Sequence, residues 1–148
     1  MTLEVADKPG TYTETMSLMK DTNAIRILLH EMSGQDVDAD KFIYEIKDNN
    51  GLYDWDNTLL EDEDITYSAW YQTTGSAEME EYSTRTVTEV NVALAELTIG
   101  RMRADNSPIL HIISRETGED LVRIPLADYA LLVKGYYREK MGDQEYLD

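Results

Sequence analysis

T-V-T-E-V-N-V-A-L-A-E-L-T-I, residues 86–99, alternates without a break: Val90, Val92 and Leu94 share one side while Ala93, Ala95, Leu97 and Ile99 fill the other. A period of two marks a β-strand. Apolar residues on both faces of its middle call for a central strand of a packed sandwich, because a strand with one wet face keeps polar residues on that face. Val92, Leu94 and Leu97 are therefore predicted to be buried.

The flanking segments repeat the pattern. A-I-R-I-L-L-H at residues 24–30 is a β-branched and leucine run bounded by polar residues, which suits a largely buried strand. F-I-Y-E-I-K at 42–47 alternates at period two as a half-solvated strand, and Asp48-Asn49-Asn50-Gly51 carries the Asn-Gly chemistry of a tight reversal. Residues 52–64 keep neither period and read as a long surface connection, after which I-T-Y-S-A-W-Y-Q at 65–72 resumes β composition. Residues 73–83, T-T-G-S-A-E-M-E-E-Y-S, are small and polar and are predicted to be the least ordered part of the chain. Residues 109–115 and 121–124 form a hairpin across Thr117-Gly118. From Leu126 to Lys140 the spacing changes to three and four (Leu126, Tyr129, Ala130, Val133, Tyr136, Tyr137) behind Pro125, which predicts one amphipathic helix ending near Gly142. Six β segments and one helix predict a mainly β, two-sheet sandwich.

With 148 residues and 42% hydrophobic side chains, the chain has material for one core. The net charge of −17 repels phosphate backbones and anionic membrane surfaces, which argues against nucleic acid or membrane contact. The absence of cysteine removes disulfides, thiolate metal sites and thiol nucleophiles. No run approaches a membrane-spanning length, and residues 1–10 lack the basic start and apolar stretch of a secretion signal, so the sequence as it stands reads as soluble.

Acidic clusters invite a calcium reading. Asp36, Asp38 and Asp40 occupy positions one, three and five of a calcium-loop spacing, but Lys41 stands where glycine is needed and Lys47 where the bidentate glutamate belongs. Asp54 and Asp56 start a second such loop that meets Leu59 and Ile65 at the same positions. His30 and His111 sit alone inside apparent strands and read as partly buried structural residues. No nucleophile elbow or glycine-rich phosphate loop occurs, so no catalytic, cofactor or metal residue is assigned and no enzyme is expected. Tyr44, Tyr53, Trp55, Tyr67, Trp70 and Tyr71 crowd the first half of the chain, either filling the core or offering a sugar- or protein-binding platform.

Five strings then occur in a telling order: L-M-K-D-T-N at 18–23, D-W-D-N at 54–57 with Leu59-Leu60, A-E-L-T at 95–98 with Arg101-Met102, I-P-L at 124–126 with D-Y-A-L-L at 128–132, and Q-E-Y-L-D at 144–148. Together they resemble the fimbrial anchor and minor-subunit family of Bacteroides-type bacteria, the FimB-like proteins, from about Leu18 to Asp148. The resemblance implies a transthyretin-like β-sandwich domain at 18–148 behind an extended arm at 1–17, the second of two such domains in a surface protein held at the outer membrane by a lipidated cysteine. It implies a noncatalytic module, an anchor, cap or minor subunit, that supports fimbrial assembly and cell adhesion, with other fimbrial subunits joined by strand addition. A carbohydrate- or protein-binding adhesin module using exposed Tyr and Trp, and a calcium-stabilised acidic surface domain, are the alternatives. This chain has no lipidation cysteine and no first domain, and the family pattern continues past Q-E-Y-L-D into a further strand pair. An open sheet edge, with self-association through it or its occupation by the arm, is the expectation.

Overall fold

The computed structural model describes residues 10, 11, 13, 15, 21–80, 87–102 and 108–130. Within them run β1 (Thr22–Leu29), a 3-10 turn (Ala39–Lys41), β2 (Phe42–Asp48), β3 (Ile65–Ser68), β4 (Tyr71–Glu80), β5 (Val87–Gly100), β6 (Ile109–Ser114), β7 (Asp120–Pro125) and the short helix α1 (Leu126–Ala130). They build two antiparallel sheets, one ordered β1-β5-β4 and the other β3-β2-β6-β7. The mainly β sandwich read from the sequence is the fold observed, with one short helix after the last described strand.

β5 is the middle strand of the three-stranded sheet, as its two apolar faces require. Its inward residues Ala95, Leu97 and Ile99 pack with Tyr44 and Ile46 of β2, Leu110 and Ile112 of β6, and Met102. Ile25 and Ile27 of β1, opposite Leu97 and Ala95, extend that core from the side. Val92 and Leu97 are buried as expected. Leu94 differs: it lies on the opposite face from Leu97 and is only half-buried.

Two segments depart further from the sequence reading. Residues 73–80, predicted to lack order, belong to β4, paired with β5 along ten consecutive register positions from Tyr71↔Glu96 to Glu80↔Val87. An edge strand draws its order from the backbone ladder and needs no continuous apolar face of its own, so small and polar residues suffice. Residues 81–83 lie outside the described part. The β run at 65–72 is two strands in different sheets: after Ser68 the Ala69 N–H donates to the Tyr44 carbonyl at 3.3 Å and the Trp70 N–H to the Glu96 carbonyl at 3.0 Å, carrying the chain from one sheet to the other.

The expected tight reversal at Asn50-Gly51 is also absent; neither residue has a positive φ, and β2 returns as β3 only after residues 49–64. Asn50 is instead fully buried, its Nδ2 donating to the Arg101 carbonyl at 2.9 Å and its Oδ1 accepting from the Tyr67 hydroxyl at 2.6 Å. Gly100 makes room for this contact, since a Cβ there would stand 2.9 Å from both the Asn50 carbonyl oxygen and the Tyr67 hydroxyl. The β6–β7 hairpin turns as expected, with Gly118 at φ 73°. Beyond Ala130 the predicted helix, like most of the arm at 1–17, lies outside the described residues.

Tyr44 sets an alkaline limit on the fold. Burial pushes its phenol from an ordinary 10.0 up to about 12, and its hydroxyl has no hydrogen-bond partner among the described residues. The raised native value means that stability is intact below pH 10, where both states are protonated, and is lost as pH rises toward 12 because the unfolded chain ionises first. Denaturant titrations are expected to show roughly 2–3 kcal/mol disappearing across that window. Tyr44→Phe is expected to remove this contribution to the alkaline loss without destabilising the protein at neutral pH.

Candidate functional site

Among the described residues, β1 borders one sheet and β7 the other, and the two lie on the same side of the sandwich. β1 pairs with β5 along one edge only, and its other edge faces no strand among the described residues. This corrects the largely buried strand expected at 24–30, whose residues instead alternate between half-buried and exposed. The run bore a sign of this in Arg26, since charged side chains are common on the edges of sheets.

Behind that edge runs an apolar groove of about 430 Å³, floored by Ile25, Ile27, Met102, Leu110, Ile124 and Leu126. Leu28 and Tyr129, 55% and 62% exposed, stand at its border. A row of backbone groups along a strand edge beside an apolar trough has the two properties that bind an extended segment. The backbone supplies a hydrogen-bond ladder, and the trough takes every second side chain.

The six aromatics do not form one platform. Tyr44 is in the core, and Tyr67 is half-buried with its hydroxyl on Asn50. Tyr53 is half-buried, accepts the Arg101 N–H at 2.9 Å and lies under the Arg101 guanidinium, 5.5 Å from the ring centre. Trp55, Trp70 and Tyr71 remain in water at 79%, 65% and 45% exposure. Trp55 occupies a turn closed by the Asp54 N–H donating to the Thr58 carbonyl at 2.8 Å, whereas Trp70 and Tyr71 stand side by side with ring centres 6.0 Å apart.

Three carboxylates of the two calcium-like spacings are held locally. Asp38 Oδ1 accepts the Asp40 N–H at 3.0 Å, capping the 3-10 turn. Asp54 Oδ1 accepts from the Trp55 N–H at 2.7 Å and Asp56 Oδ1 from the Thr58 N–H at 3.0 Å; hydrogen bonds from Thr58 hold the Asp56 carboxyl below its ordinary value. Among the described residues no three His, Asp or Glu side chains converge as a metal site. His111, on β6, places Nδ1 2.8 Å from Asp120 Oδ2, and Arg123 Nε lies 3.8 Å from the same oxygen. His30 is half-buried just past the end of β1, a strand of the other sheet. Among the described residues no helix is long and apolar enough to cross a membrane.

Solved structures share this architecture. A candidate adhesin from Bacteroides thetaiotaomicron VPI-5482 is 41% identical over 88% of this chain and 43% of its own, with a TM-score of 0.69. A candidate polysaccharide-binding protein from the same organism is 24% identical over 88% of this chain and 41% of its own, with a TM-score of 0.63. The fimbrial anchor protein Mfa2 from Porphyromonas gingivalis shares the fold at 14% identity, over 84% of this chain and 37% of its own, with a TM-score of 0.54. The chain thus spans about two fifths of the length of these relatives. Among curated proteins none is found to match it in sequence. The family of fimbrillin-A associated anchor proteins Mfa1 and Mfa2 matches across residues 2–148, bearing out the resemblance carried by the five ordered strings. With its two-sheet fold and a match running almost end to end, the chain belongs to the fimbrillin-A associated anchor family.

Proposed function

We propose that this chain is a noncatalytic structural module of a surface fimbria, an anchor, cap or minor subunit whose sandwich domain spans residues 18–148, and that it joins a neighbouring subunit by accepting a strand along β1. The observation that carries this reading is the coincidence of the β1 edge with the apolar groove beneath it. A strand laid there pairs with β1 and places alternate side chains over Ile25, Ile27, Leu110 and Ile124, so assembly draws on backbone hydrogen bonds and apolar burial together. Such a site needs no conspicuous side-chain motif. Adhesion is the cellular outcome of the assembly.

The test is a photo-crosslinking amino acid placed at Leu28 on β1, at Thr66 on β3 or at Ser76 on β4, in the full-length protein within its native host. Adducts with another fimbrial subunit from position 28, and not from 66 or 76, are expected. Equal adducts from all three positions, none from position 28, or adducts only between two copies of this chain would overturn the reading.

A further inference from the structure

We infer that Trp70, Tyr71, Arg26 and Glu96 form a shallow site for a neutral hexopyranose unit of a glycan. The inference does not rest on strand capture at β1, although Ala24, Ile25 and Arg26 line both depressions.

The site is built by register. Arg26 on β1 is opposite Glu96 on β5, and Glu96 is opposite Tyr71 on β4, so the three side chains form one row across the outer face of the three-stranded sheet. Trp70 stands at the end of that row with its backbone held, since its N–H donates to the Glu96 carbonyl at 3.0 Å. Its indole nevertheless remains 65% exposed. The depression beside it, about 390 Å³, is lined by Ala24, Ile25, Arg26, Trp70, Glu96 and Leu97. That volume falls in the range of small-ligand sites, about 300–1,000 Å³.

Its chemistry matches one ligand class. A pyranose ring has an apolar C–H face and a rim of hydroxyls, each both donor and acceptor. The indole offers a flat apolar face on a backbone tied to β5, and the Tyr71 ring, tilted by 37°, stands next to it outside the depression. Beside it Arg26 Nε donates to Glu96 Oε1 at 2.8 Å, and a second guanidinium nitrogen lies 2.6 Å from the same oxygen. Both contacts use one carboxylate oxygen. Glu96 Oε2 and the remaining guanidinium N–H groups make no further contact among the described residues, which leaves an acceptor and donors for ring hydroxyls.

Charge selects within the class. The ion pair makes the site locally neutral, and the chain's net charge of −17 repels acidic glycans. A protein partner is disfavoured by size, because a stable interface buries about 800 Å² on each side, far more than one exposed indole and its neighbours supply.

The chain has two tryptophans, so Trp55→Phe leaves Trp70 as its sole indole and makes its emission a direct reporter of the site. Cellohexaose, maltohexaose, mannohexaose and galactohexaose are titrated into this single-tryptophan protein, and binding by further variants is measured by calorimetry. At least one hexaose is expected to shift Trp70 emission saturably. Trp70→Ala and Glu96→Gln are each expected to raise Kd at least about tenfold, equivalent to about 1.4 kcal/mol, with Trp70→Phe intermediate and unchanged circular dichroism in all three. Silence toward all four sugars up to their solubility limits, or binding undiminished in Trp70→Ala, would overturn the assignment.

Discussion

Leu97→Ala is expected to lower unfolding stability by about 2–5 kcal/mol, the usual cost of a core leucine truncation with its cavity. Leu97 is 1% exposed and lies at the meeting of the two sheets, among Tyr44, Ile46, Leu110 and Ile112. Those neighbours belong to strands held on both sides by hydrogen-bonded partners, so they cannot close around the missing atoms and the loss should fall toward the upper end. Leu94→Ala is the matched control: the strand and residue type are the same, but the side chain is half-buried on the other face. Its expected cost is about 1 kcal/mol. Urea titrations with an unchanged slope measure both. A cost at Leu97 below about half a kilocalorie, or one smaller than at Leu94, would contradict the observed register.

Asn50→Ala is expected to cost about 2–4 kcal/mol, because it strips a partner from two other groups at once. The Arg101 carbonyl loses the Asn50 Nδ2 donor and the Tyr67 hydroxyl loses its Oδ1 acceptor, both in a region closed to solvent around Asn50. Tyr67→Phe removes only the second contact and should cost less. The two substitutions share an interaction, so the double variant should be less destabilised than the sum of the singles by about 0.5–3 kcal/mol. Additive single effects, or an Asn50→Ala loss within half a kilocalorie of zero, would show that this contact does not hold the 49–64 connection to the end of β5.

What could be read from the residues depended on where each element's stability originates. β2, β5, β6 and β7 take theirs from apolar burial, and Tyr44, Ile46, Leu97, Leu110 and Ile112 announce it at period two. β4 takes its order from the ladder with β5, a property of the neighbouring strand, so Thr73, Thr74, Gly75 and Ser76 read as loop. The change of sheet at Ala69-Trp70 involves neither glycine nor proline, and nothing in I-T-Y-S-A-W-Y-Q separates β3 from β4. Asn50 was a turn residue by type, yet its side chain became a buried cross-link to Arg101 and Tyr67, which only the tertiary fold can provide. The proposed strand site has the same character: Ile25 and Ile27 were evident as apolar residues, but their position beside an edge unpaired among the described residues follows from the order β1-β5-β4. Of the six aromatics, exposure left Trp55, Trp70 and Tyr71, adjacency paired the last two, and register placed Glu96 and Arg26 in line with Tyr71.

The pairing of β1 with β5 also sets the order in which the domain assembles. β4 and β5 are near neighbours in sequence, and such hairpins close in about 1–10 μs. Seventy positions separate Arg26 from its ladder partner Glu96, so β1 must wait for a distant segment and bear the entropy of a long loop before it pairs with β5. Folding should therefore fall in the millisecond-to-second range of domains ruled by distant pairings, with β1 docking late onto a hairpin already formed. During synthesis the I-R-I-L-L segment leaves the ribosome well before β5 and waits for it to emerge, which makes the nascent chain vulnerable to aggregation through β1 in that interval.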